Sequence, residues 1–146
     1  MRIEFDVTNL DVILDKLDDV VDDDTIRSAV GKACAVVERS AKEKAPKDTG
    51  ALRRSITSKV EEEDGAIVGV VYTPLEYAPY VEYGTGLFAE SGQGRQTPWS
   101  YQDDEGNWHT TRGQESANGK GVGFMRPALN ENREKIVRLI KEGVLK

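Results

Sequence analysis

The residues best placed to do chemistry are Asp48-Thr49-Gly50-Ala51, inside the segment "KAPKDTGALRRSI". Asp-Thr-Gly is the tripeptide of an aspartic protease loop, where two carboxylates face each other and share one proton. One copy in 146 residues would require a homodimer. Such a loop also normally follows an apolar strand that buries it. Here it follows "AKEKAPK", a charged helix end and a proline, and no convincing flap hairpin comes after it. The plainer reading is local. Asp48 caps a short helical turn beginning at Thr49 or closes an Asx-turn, and Gly50 supplies a permissive backbone.

The other chemical candidates are sparse. His109 is the only histidine and Cys34 the only cysteine, so neither a zinc set nor a histidine-based nucleophile pair assembles from the sequence. No internal disulfide is possible. His109, beside Trp108 on a hairpin, is expected to be exposed or stacked. The glycines of "GTG" and "GKGVG" lack the Gly-Lys-Ser/Thr context of a phosphate cradle and are read as loop flexibility. The acids of "DDD" and "EEED" lack the alternating ligands of a calcium loop. They suit a helix start and a solvated turn. No metal and no cofactor is expected.

Aromatic residues carry more information. Tyr72, Tyr77, Tyr80 and Tyr83 crowd a twelve-residue stretch around Glu82, and Trp99, Tyr101 and Trp108 decorate a second segment. Two readings of the tyrosines stand side by side: they complete a small core, or they meet a partner. Tyrosine and tryptophan suit interfaces because they bury area with a polar tip. For the tryptophan segment the partner reading leads, since an isolated two-stranded hairpin is marginal and exposed tryptophans need cover.

These side chains need elements to hold them. "RIEFDV" alternates as a half-buried strand. "NLDVILDKLDDVV" has helical spacing, with Thr8 or Asn9 as cap. In "DDDTIRSAVGKACAVVERSAKEKAP", Ile26, Val30, Ala33, Val37 and Ala41 form one stripe. Acids open that helix, lysines close it, and Pro46 stops it. "SITSKV" and "AIVGVVY" flank a turn at Asp64-Gly65 and form a hairpin. "YAPYVEYG" gives a short helical turn with Pro79 in its first turn. A flexible loop and hairpin arm is expected over residues 87–121, with a turn at Asp104-Glu105-Gly106. A final helix starts with Pro127 near its first position, carries Leu129, Ile136, Leu139 and Ile140 on one face, and frays near Gly143. The fold class is α+β in a single domain, residues 1–146, with a small antiparallel sheet and helices from both ends packed on one face.

Net charge is -6, and residues 1–24 carry nine acids against two bases, so the remainder is about neutral. No basic stripe of the kind that grips nucleic acid is present. DNA can pass nearby without specific binding. No apolar run approaches the roughly 20 residues of a membrane span, and the first ten residues do not read as a signal peptide.

Three segments taken together, "APKDTGALRRSI" (45–56), "YAPYVEYGTG" (77–86) and "GFMRPAL" (123–129), resemble the small tail-completion, or head–tail joining, proteins of tailed bacteriophages and prophages. The tryptophan arm with Thr111 and Gly113-Gln114 is similar to an insertion found in many members. The likeness runs in order over roughly residues 26–140. It implies a non-enzymatic virion protein of the tail or neck, present in host cytoplasm during assembly. It also implies self-association as a ring, often a hexamer, contacts with other tail or connector proteins, and no membrane. The interface candidates are then Tyr77, Tyr80, Tyr83, Trp99, Tyr101 and Trp108. Asp48, Gly50, Glu82 and Arg126 are structural. Glu82 and Arg126, each flanked by apolar residues, are expected to pair and tie the short helical turn to the final helix. Part of the acidic N-terminal segment is expected to face a ring lumen or a basic partner. The rival readings are a homodimeric aspartic protease using Asp48 and an acidic, non-enzymatic adaptor.

Overall fold

The structure, a computed structural model, describes residues 1–6, 22–47, 50–119 and 122–144. The expected helix over residues 10–21, most of the acidic segment expected to face a lumen or partner, and Asp48 with Thr49 lie outside the described residues.

Strand β1 (Arg2–Asp6) is followed by helix α1 (Asp23–Lys44). Asp22 caps α1: its Oδ1 accepts the Thr25 N–H at 2.7 Å. Asp23 and Asp24 sit in the first turn and Lys42 and Lys44 in the last, each matching the helix dipole. Ala45 adopts an extended conformation ahead of Pro46, and the helix ends there. The expected stripe is the buried one. Val30, Ala33, Cys34, Val37 and Ala41 are all almost fully covered, and Ile26 packs at its edge.

Helix α2 (Ala51–Ser55) leads into strands β2 (Thr57–Glu63) and β3 (Ala66–Tyr72). Asp64 and Gly65 both have positive φ, 52° and 81°, as a two-residue hairpin turn with right-handed strand twist requires. β1 pairs antiparallel with the other edge of β3, giving the order β1-β3-β2. Strand alternation sends Phe5, Gly69, Val71 and Val60 to the face that meets α1. Gly69 is needed there, because a Cβ would lie 2.7 Å from both Cys34 Sγ and the Phe5 ring. Burial pushes the Cys34 thiol up to about 11, so it acts as a small apolar side chain. The opposite face carries Arg2, Glu4, Lys59 and Glu61, joined by ion pairs.

The C-terminal region differs from expectation in three ways. The single final helix is two, α4 (Met125–Glu131) and α5 (Arg133–Val144). Asn132 breaks it: its side-chain Nδ2 donates to the Ala128 carbonyl at 2.7 Å, and its φ of −104° and ψ of 8° leave the helical well. Pro127 is the third residue of α4 rather than the first, where its missing N–H is still harmless. Gly143 is not a fraying point. It lies in α5, where a Cβ would come within 2.8 Å of Ala29, so the glycine lets α5 close on α1. α4 and α5 rest chiefly against α1 rather than directly on the strands. Ile136, Ile140 and Val144 supply the buried face of α5.

Candidate functional site

Helix α3 (Ala78–Tyr83) is only six residues long, has Pro79 in its first turn and has no side-chain cap. So short a segment cannot hold itself together. Its buried side is Ala78, Val81 and Glu82. Tyr77, Tyr80 and Tyr83, three apart, stand on its outside at 44%, 59% and 44% exposure. The core-completing alternative therefore fails for these three. Tyr72 alone is partly covered, under the Lys59 ammonium at 5.0 Å.

Glu82 anchors α3. Its side chain has no exposure, and its two oxygens are fully engaged. Oε2 accepts the Phe124 and Met125 N–H groups at 2.7 and 2.8 Å. Oε1 accepts the Arg126 N–H at 3.0 Å and Arg126 Nε at 2.9 Å. The expected pairing with Arg126 is thus present, together with a feature the sequence reading missed. Phe124, at the N-cap position of α4, provides no side-chain acceptor. Glu82 caps that helix from more than forty residues away, and a carboxylate suits the positive end. The sequence shows only that a cap is missing, since Gly123-Phe124 opens a helix with no Ser, Thr, Asp or Asn, and does not name the acceptor. Gly123 has φ of 76°, and a Cβ there would collide with the Glu82 carboxylate.

Arg126 extends the clamp outward. Nη1 donates to Glu90 Oε1 at 2.8 Å, Nη2 reaches Glu90 Oε2 at 2.8 Å, and the guanidinium lies 4.6 Å from the Tyr83 ring centroid. The bonds to Glu90, then those to Glu82, hold the guanidinium above its ordinary pKa, against the opposing effect of burial. Arg126 in turn holds Glu90 below the usual carboxylate range. One exposed tyrosine is thereby fixed by the same group that closes the buried site.

The arm consists of β4 (Trp99–Gln102) and β5 (Trp108–Thr111). Asp103 shapes its turn. Oδ1 accepts the Asn107 and Glu105 N–H groups at 2.8 and 3.0 Å, and Oδ2 meets His109 Nε2 at 2.7 Å. His109 stacks on Tyr101 at 5.3 Å. The pairing of Tyr101 with His109 and of Gln102 with Trp108 puts Trp108 on the opposite face from Trp99 and Tyr101. The aromatics therefore show on both faces. Among the described residues Trp108 is the barest large hydrophobic side chain, at 71% exposure, and Tyr101 stands at 48%. Trp99 is partly covered, with the Arg95 guanidinium 5.6 Å from its ring.

Gly84, Gly86 and Gly113, at the base of the arm, are not spacers for flexibility, as the sequence suggested. Its base is stitched to the end of α3: Thr85 N–H donates to the Gln114 carbonyl at 2.8 Å, Leu87 N–H to Arg112 at 2.9 Å, and Ala117 N–H to Val81 at 2.7 Å. A Cβ on Gly86 would strike the Arg112 carbonyl, and one on Gly113 the Thr85 carbonyl. These glycines let two backbones touch. The tyrosine face and the arm are therefore joined through one hydrogen-bonded base.

At the Asp-Thr-Gly segment, Gly50 takes φ of 79° and precedes α2, which begins at Ala51 rather than Thr49. That left-handed φ is one that the permissive backbone expected of glycine allows. Among the described residues no group of three or more His, Cys, Asp or Glu side chains is arranged to hold a metal.

Residues 11–84 match the model of a protein family described as "Bacteriophage HK97-gp10, putative tail-component". That span is half of the chain, and the chain belongs to this family of phage tail components. It takes in α1, α2, the β2–β3 hairpin and α3 as far as Gly84, while the arm and α4–α5 lie beyond it. No curated protein and no solved structure matches the chain. As a tail component it belongs to the virion, and no helix among the described residues is long and apolar enough to cross a membrane.

Proposed function

We propose that this tail component works by self-association, as a subunit of a ring at the head-proximal end of the tail, and that it is not an enzyme. The observation that carries the reading is the outward display of Tyr77, Tyr80, Tyr83, Tyr101 and Trp108 from one hydrogen-bonded unit. Isolated subunits rarely leave so many large aromatics bare without a use for them. A closed ring needs two different patches per subunit, meeting head to tail. The tyrosine face of α3 and the arm are two such patches. In this reading the arm of one copy covers the α3 face of the next, and Asp48 shapes a bend.

Light scattering on the wild type and on Trp108→Ala and Tyr80→Ala tests this. A multimeric wild type and smaller variants are expected. A wild type that stays monomeric at every concentration, alone and with other tail proteins, removes the ring. Peptide-bond cleavage lost in Asp48→Asn would replace it with the protease.

A further inference from the structure

Arg53 is left unsatisfied. It lies in α2, where Leu52 and, just beyond, Ile56 are buried, and its Nε and Nη2 atoms are covered without a hydrogen-bond partner. They are the only such side-chain atoms among the described residues. By contrast, Arg126 uses all three nitrogens, and Arg2 and Arg27 each reach a carboxylate through Nη2. Burying a charged donor unpaired is costly, and native chains rarely keep one without a use for it.

The identity of the two atoms narrows that use. Nε and Nη2 share one edge of the planar guanidinium. Their N–H bonds point the same way, the geometry that grips a carboxylate or phosphate through two parallel hydrogen bonds. The sequence charge agrees: residues 47–54 hold three bases, Lys47, Arg53 and Arg54, and one acid, Asp48. We propose that the Nε–Nη2 edge of Arg53 is a seat for an oxyanion, a carboxylate or a phosphate. Because both nitrogens are covered, seating it displaces α2 slightly. That helix has only five residues, but Leu52 is buried and the Ser55 hydroxyl bonds Thr73 Oγ1 at 2.6 Å, so the shift is confined to the turn that carries Arg53. The site stands on Arg53 alone and does not depend on ring formation.

The test follows the Arg53 Nε–H resonance by NMR in wild type, with thermal unfolding of wild type, Arg53→Lys and Arg53→Met. Inorganic phosphate is titrated in one arm and protein concentration is raised in the other. A saturable Nε–H shift with phosphate, and a melting-temperature rise that Arg53→Met loses and Arg53→Lys shows only weakly, identifies a free anion as occupant. A shift that comes only with self-association identifies a carboxylate of a second copy. Arg53→Met is expected to be at least as stable as wild type in anion-free buffer, because it removes an unpaired charge. If Arg53→Met fails to fold, Arg53→Lys carries the comparison, since it keeps the charge and loses the fork. An Nε–H unmoved in both arms, or a phosphate response shared by the variants, overturns the proposal.

Discussion

The Glu82 clamp and the β4–β5 arm lie on two sides of the same hydrogen-bonded base, yet they are built by opposite rules. In the clamp a buried carboxylate spends every lone pair inside the chain, on three backbone N–H groups and one guanidinium nitrogen. In the arm Trp108 and Tyr101 are left in water. The clamp should therefore govern stability and the arm association. Substitutions can break that division of labour or sharpen it.

The largest effect is expected at Glu82. Glu82→Ala leaves three backbone N–H groups and Arg126 Nε without their acceptor, and a loss of about 3–5 kcal/mol is expected from breaking a buried charge pair. Denaturant unfolding measures it. A loss below about 1 kcal/mol, the worth of an ordinary hydrogen bond, would mean that the clamp is not what holds α3 and α4 together.

Gly123→Ala comes next. It adds a methyl group where the backbone has φ of 76° and where the Glu82 carboxylate already sits. Strain of this kind costs about 1–3 kcal/mol. Combining it with Glu82→Ala should give less than the sum of the two losses, because the second change removes what the first collides with. Full additivity would separate the glycine from the clamp.

Arg126→Met should cost less than Glu82→Ala. The two charges looked equivalent in the sequence, each flanked by apolar residues. The structure makes them unequal: the Glu82 side chain is fully covered, the Arg126 side chain is 30% exposed, and Glu82 keeps its backbone donors when Arg126 is gone. Hydrogen bonds to charged groups are worth about 1.5–3 kcal/mol, and the loss should fall in that range or below. A loss equal to that at Glu82 would show that the side-chain pair, rather than the helix cap, does the anchoring.

That inequality marks how far the sequence was legible. The elements set by local pattern appear where periodicity and turn chemistry put them. Asp22 opens α1, Pro46 closes it, Asp64-Gly65 turns the β2–β3 hairpin, and α3 sits between Tyr77 and Gly84. What was hidden depends on contacts between distant segments. The glycines at 84, 86 and 113 suggested mobility, because composition cannot distinguish a loose loop from two backbones in contact. Gly143 suggested a frayed end for the same reason, although it is where α5 meets Ala29. The break at Asn132 turned on one side chain choosing its own helix's carbonyl. For the site, pairing of Glu82 with Arg126 could be inferred from charges set among apolar neighbours. The remote cap could not, because no local pattern says which acceptor a capless helix recruits.

On the arm side the expected signs reverse. Trp108→Ala removes a side chain that is 71% exposed, so subunit stability should stay within about 0.5 kcal/mol of wild type. Association should weaken by about 2 kcal/mol or more if Trp108 is a central contact. Parallel melting and light-scattering measurements separate the two. A variant that loses stability and keeps its assembly would place Trp108 in the subunit's own packing and reverse the comparison.

The smallest effect is expected from pH, and it is confined to the arm. The hydrogen bond from His109, followed by the backbone bond from Asn107, holds the Asp103 carboxyl below its usual range. A carboxylate with a depressed folded-state pKa contributes stability that is fully present above its unfolded value. That contribution is lost as pH falls through the folded value. The arm turn should therefore be unchanged from neutral pH down to about pH 4, near the ordinary aspartate pKa, and loosen below it. Backbone resonances of Glu105 and Asn107, whose N–H groups donate to Asp103, report the change directly. Asp103→Asn should remove the pH dependence there and leave the unfolding of α1 and the sheet as in wild type, because Asp103 touches neither. A shared acid transition for the arm and the core would show that the stitched base passes stability from clamp to arm, and the two regions would then have to be treated as one cooperative unit.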